Sequence, residues 1–134
     1  MALAPGSSLG PYTITGPLGK GGMGEVWRAR DSRLGRDVAI KALPTEFAGD
    51  FDRLARFERE AKVLASLNHA NIASIYGVEQ ANGQQFLVLE LVEGETLAER
   101  IARTSIGTEE ALRLAVQIAD GIEAAHEKTS FIAI

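Results

Sequence analysis

The sequence predicts an α+β fold in which a small antiparallel sheet carries one helix and is followed by two more helices. Three observations lead there. Between Tyr12 and Leu91, short runs with apolar residues at alternate positions are separated by turns rich in glycine, aspartate and asparagine, the pattern of half-exposed strands joined by hairpins. From Asp50 onward, Leu54, Phe57, Ala61, Leu64 and Leu67 recur at spacings of three and four, the period of an amphipathic helix. Beyond the last strand, two helix starts are marked by threonines that precede glutamates, at Thr96 and Thr108.

Composition bounds the class of molecule. At 134 residues, 46% of them hydrophobic, the chain is long enough for one core. A net charge of −4 with mixed signs and no basic stripe argues against a nucleic-acid surface, and no apolar run is long enough to cross a membrane. The absence of cysteine excludes a disulfide framework and a thiolate metal site. Met1 to Gly6 lack the basic and apolar regions of a signal peptide, so a cytoplasmic setting is expected.

Residues 1–10 carry Pro, Gly and two Ser with little periodicity and read as a flexible lead-in. Tyr12, Ile14 and Leu18 then mark a first strand and Trp27 to Arg30 a second. The polar turn Asp31–Asp37 leads into a third, giving an antiparallel meander. Pro44 ends that strand, and Asp50 caps the helix. Ile72–Glu79 and Gln85–Leu91 read as two further strands around Asn82-Gly83, a dipeptide suited to the positive φ angles of a tight hairpin, so five strands are expected. The expected core draws on Ile14, Val26, Ile40, Leu64, Ile75, Val88 and Leu89. Thr96-Leu97-Ala98-Glu99 is a capping box for a short helix to about Arg103. Thr108 opens a longer helix whose polar residues Arg113, Gln117, Asp120 and Glu127 form a narrow stripe; apolar residues from Ala111 to Ala125 cover most of the rest.

The chemistry lies in Leu18-Gly19-Lys20-Gly21-Gly22-Met23-Gly24-Glu25-Val26, followed after a short turn by Val38-Ala39-Ile40-Lys41. Glycines at 19, 21 and 24 let backbone N–H groups lie close to phosphate oxygens. Their spacing also occurs in dinucleotide-binding folds, where it opens a helix. Here Glu25 to Arg30 continue as a strand, and a lysine ends the next one. The sequence resembles a bacterial-type serine/threonine protein kinase over residues 11–128.

That resemblance implies a kinase N-lobe with a five-stranded antiparallel sheet and one regulatory helix, and hinge (11–95), then two helices of a C-lobe (96–128). Residues 129–134 form a divergent tail. It implies ATP as ligand and phosphoryl transfer from MgATP to protein Ser/Thr hydroxyls as the parent reaction. The glycine-rich residues Gly19, Lys20, Gly21, Gly22, Met23 and Gly24 would hold phosphates, as would Lys41, oriented by Glu60. Leu18, Val26 and Ala39 would sandwich adenine, with Leu89 behind it and main-chain groups of Glu90 and Val92 at its edge. On the residues alone, a surface pair of Glu60 with Arg56 one turn earlier is the favoured reading, and it is the resemblance that turns Glu60 to Lys41. The ribose-contacting acid that some kinases carry has no clear counterpart here, with Thr96 near that place, and Ala70 stands where the family usually has proline, which is expected to loosen that turn slightly without touching the site.

A family member would reach its His-Arg-Asp catalytic loop at about 132–134, where this sequence has Ile132-Ala133-Ile134. The protein ligands for Mg are therefore missing, no metal site is expected, and the chain alone is expected to be inactive. His126 reads as a helix C-terminal dipole partner rather than a base. Two alternatives stay open: a non-catalytic interaction or dimerisation module using the apolar helix face 111–125 and the tail, and an out-of-frame or truncated end of a longer kinase gene.

Overall fold

The computed structural model describes residues 3–21, 24–44 and 49–128, the side chain of Lys20 excepted. A six-stranded antiparallel sheet has the order β1-β2-β3-β4-β6-β5. Its strands are β1 (Ser8–Leu9), β2 (Tyr12–Gly21), β3 (Gly24–Asp31), β4 (Arg36–Ala42), β5 (Ile75–Ala81) and β6 (Gln84–Glu90). The α+β class and the meander are as expected, with one more strand. The extra strand, β1, comes from the stretch expected to be a lead-in. Leu9 pairs with Tyr12 and is 2% exposed, so burial of one leucine fixes a segment whose composition alone reads as loop.

Turn chemistry sets the register. Between β3 and β4, Asp31 Oδ1 accepts hydrogen bonds from the Arg33 and Leu34 N–H groups, and the Asp31 carbonyl accepts from Gly35 N–H, with Gly35 at φ 64°. These bonds let a carboxylate stand buried in the sheet. Between β5 and β6, Asn82 (φ 53°) and Gly83 (φ 77°) both take the left-handed conformation that a two-residue hairpin turn requires.

One face of the sheet carries the core: Leu9, Tyr12, Ile14, Ala29, Val38, Ile40, Phe86 and Val88, with Trp27 packed against it. Of the expected core residues, Ile14, Ile40 and Val88 are buried here. Val26 and Leu89 are only half-buried because their strand positions put them on the opposite face. Leu64 and Ile75 are also half-buried.

Helix α1 (Phe51–Ala65) starts at Asp50, whose carboxylate accepts from Arg53 N–H at 3.1 Å. It lies against β5, burying Ala61, and leaves a groove of about 470 Å³ bordered by Glu58, Lys62, Tyr76 and Val78. Helix α2 (Leu97–Arg103) shows both bonds of the expected capping box, Glu99 N–H to Thr96 Oγ1 and Thr96 N–H to the Glu99 carboxylate. Helix α3 (Thr108–Lys128) begins at Thr108, the residue expected to cap it, since the Gly107 carbonyl already accepts from Ala111 N–H.

The segment linking α1 to β5 docks on α3. Asn71 Nδ2 donates to the Gln117 carbonyl at 3.1 Å, and His69 Nε2 lies 3.4 Å from Asp120 Oδ2. Gly121 is buried beneath them: a Cβ there would stand 3.3 Å from the Asn71 carbonyl oxygen. The turn preceding β5, which holds Ala70, is closed by Asn71 N–H to His69 Nδ1 and Ile72 N–H to the His69 carbonyl. Away from this contact, Leu112, Val116, Ile118 and Ile122 of α3 are exposed. No described helix is long and apolar enough to cross a membrane.

Candidate nucleotide site

The glycine-rich stretch forms a hairpin between strands. β2 and β3 pair from Tyr12↔Asp31 to Gly21↔Gly24. Gly22 and Met23, expected at its tip, lie outside the described residues, as does the tail 129–134. The β2 register slips between Pro17 and Gly19, so Leu18 is the extra residue of a bulge, a device that re-aims a side chain. Leu18 is exposed. Gly24 has a φ of 117°, and a Cβ there would lie 2.8 Å from the Ala42 carbonyl oxygen. Gly24 is thus required twice, by its dihedral and by the close approach of β4.

Register then assembles one face. Val26 pairs with Lys41, Arg28 with Ala39, Ala39 with Leu89 and Lys41 with Leu87. Directly opposed residues share a face, so Val26, Ala39, Lys41 and Leu89 line the side away from the core, next to the glycine hairpin. A flat apolar surface with a small residue in its middle and an ammonium at one end suits a purine joined to an anionic tail.

Lys41 and Glu60 are not paired here. Glu60 accepts from Arg56 Nε at 3.2 Å, one turn earlier on α1, and Lys41 makes no ion pair with a described residue. The physical reason is placement: α1 rests on β5 rather than β4, and the guanidinium on its own helix is nearer.

Beyond β6, Glu90 bridges to the start of β5. Its N–H donates to the Ser74 carbonyl at 2.8 Å, and its carboxylate accepts from Ser74 N–H at 3.1 Å. Val92 is exposed, and its main chain makes no hydrogen bond to a described residue. At the same end of the apolar face, Arg28 Nη2 donates to Asp37 Oδ2 at 2.7 Å and reaches Glu93 Oε1 at 3.3 Å, while Arg30 Nη1 donates to Asp37 Oδ1 at 3.1 Å. Hydrogen bonds from Arg28 and then Arg30 hold the Asp37 carboxyl below the usual range, and the Asp37 bond raises Arg28 above its own.

Residues 12–132 match the protein kinase domain family. The chain belongs to the protein kinases. It is 42% identical over 123 residues to the serine/threonine-protein kinase PknA of Mycobacterium tuberculosis, covering 87% of this chain and 28% of that protein. It is 42% identical over 119 residues to PrkC of Bacillus subtilis, covering 88% of this chain and 18% of that one. Among solved structures, the kinase domain of Mycobacterium tuberculosis PknI superposes with a TM-score of 0.86 at 28% identity, over 96% of this chain and 52% of that chain. This chain therefore corresponds to the N-lobe of a bacterial-type serine/threonine kinase domain with the first helices of its C-lobe, and it spans a minor part of the curated relatives it matches.

In this kinase lobe two interactions were not readable from sequence. Glu90 stood out only through its main chain, yet its carboxylate fastens the start of β5. Arg28 resembled any outward strand residue, and only the register shows that it shares a face with Val26 and Lys41. Among the described residues no three His, Asp or Glu side chains are grouped to hold a metal ion.

Proposed function

We propose that this chain binds ATP as the nucleotide-holding part of a serine/threonine protein kinase. The observation that carries the reading is the apolar face of Val26, Ala39 and Leu89, bounded by a glycine hairpin at one end and Lys41 beside it. In this reading Leu18, Val26 and Ala39 cover the adenine, and Leu89 closes its back. The Glu90 carbonyl and the unengaged main chain of Val92 meet its edge. The amides of Gly19 to Gly24, with Lys20 and Lys41, face the phosphates, and Glu60 turns from Arg56 to orient Lys41 when nucleotide is present. The proposed units are 11–95 for nucleotide and hinge and 96–128 for the start of the second lobe, with 129–134 as a divergent tail. A cytoplasmic setting accompanies this reading.

MgATP supplies the transferable phosphoryl group in the parent reaction. Phosphoryl transfer depends on metal-bridged phosphates and a positioned hydroxyl. Residues 1–134 contribute purine and phosphate contacts, so the chain alone is inactive as a phosphotransferase in this proposal. Calorimetric titration with ATP, with and without Mg, tests it: Lys41→Ala should weaken binding, and a folded chain that binds no ATP would sink the reading.

A second reading has one observation in its favour. Leu112, Val116, Ile118 and Ile122 expose an apolar face on α3 that commonly marks an interface. Association with a second copy through that face predicts concentration-dependent sedimentation; a strictly monomeric chain would count against it.

A further inference from the structure

Arg28 sits where two walls of the proposed adenine pocket meet. It lies on β3, two residues beyond Val26 and opposite Ala39, while Glu93 follows Val92 in the segment leaving β6. Asp37 takes both Nε (3.2 Å) and Nη2 (2.7 Å) of Arg28, which fixes the guanidinium over the sheet. Asp37 is itself held on its other oxygen by Arg30, which also donates to the Gly35 carbonyl at 2.9 Å. The same Nη2 then meets Glu93 Oε1 at 3.3 Å. Among the described residues this is the one polar side-chain contact from Leu91–Gly94 to the sheet.

From this we propose that Arg28 is a positioning residue for the purine: buttressed by Asp37, it clasps Glu93 and sets the gap between the β3 roof and the post-β6 segment. The inference rests on the ATP reading above. An exposed pair of this kind contributes little to folding, because water screens it and two side chains must be ordered. Its leverage on a ligand differs, since a base must enter a gap of fixed width and a mobile wall has to be ordered on binding. The clasp acts at the purine end, remote from the glycine hairpin, so its effect should follow the base and not the phosphates.

The experiment measures adenosine, ATP and tripolyphosphate binding to the 134-residue chain and to Arg28→Ala, Glu93→Ala and the double variant, together with hydrogen exchange of residues 91–95 without ligand. Either single change should weaken adenosine and ATP equally, by about 2- to 5-fold, leave tripolyphosphate unchanged and speed exchange of 91–95. The double variant should be no weaker than Arg28→Ala. Independent, additive losses would overturn the proposal, as would unchanged adenosine affinity or equal losses for tripolyphosphate. If the parent chain binds neither ATP nor adenosine, the ATP reading and the purine-positioning role both fall; exchange of 91–95 then decides whether the clasp holds that segment at all.

Discussion

The Glu60 carboxylate accepts a hydrogen bond from Arg56 at 3.2 Å, while Lys41, the residue that the family resemblance pairs with it, has no acidic partner among the described residues. An exposed pair one helical turn apart is worth about 0.3–0.5 kcal/mol, so a modest competing attraction suffices to redirect Glu60. Arg56→Ala should therefore bind ATP no more weakly, whereas Glu60→Gln should weaken ATP binding. Titration calorimetry beside thermal melts checks both; a loss of ATP affinity in Arg56→Ala would show that Arg56 itself serves the site.

Two glycines of the hairpin should respond differently to the same substitution. Gly24→Ala forces a side chain into positive φ and against the Ala42 carbonyl, and should cost about 1–3 kcal/mol. Gly19 has open space at its Cβ position, so Gly19→Ala should change stability by less than about 0.5 kcal/mol while weakening ATP binding. Urea unfolding of the two variants separates the fold requirement from the ligand requirement.

The Arg28–Asp37–Arg30 cluster predicts an acid limb. The folded-state pKa of Asp37 is lowered from 3.8 by the two arginines, so its contribution is fully present above the unfolded value and is lost as pH falls through the lower folded value. The raised Arg28 pKa lies above the working range and adds no limb there. Asp37→Asn should flatten the decline of stability below about pH 4, and added salt should shrink the difference between the two proteins. Identical acid profiles would remove Asp37 from the account.

Docking of α3 depends on Gly121. Alanine there gains helix propensity of about 1 kcal/mol and meets the Asn71 carbonyl at a distance that requires a small shift, so Gly121→Ala should be close to neutral. Leucine cannot be accommodated and should separate α3 from the segment before β5. Amide exchange in the second half of α3 should then rise toward that of a free helix in Gly121→Leu, with the sheet's protection unchanged.

The sheet was legible because its signals are local. Asn82-Gly83 and the Asp31 turn need particular backbone angles, and alternation needs only neighbours. Ser8-Leu9 was missed because a two-residue strand has no periodicity, and its evidence is the burial of Leu9 against residues distant in sequence. The same limit governs the site. Glycine spacing and Lys41 are linear signals, but Arg28 to Glu93, His69 to Asp120 and the choice of Glu60 between two cations are relations between elements. They depend on where α1 and the post-β6 segment come to rest, which no local pattern records.

The strand order has a consequence for how the chain is made. β1 to β4 are neighbours in chain order, so each has its partner at hand during synthesis, but β4 finds its second neighbour in β6, with α1 and β5 in the intervening chain. Until Glu90 has emerged, β4 is an open edge carrying Val38 and Ile40, a template for pairing with another nascent chain. Translation through α1 and β5 is thus the interval in which this protein is most exposed to misassembly, and where a chaperone would have its greatest effect on yield.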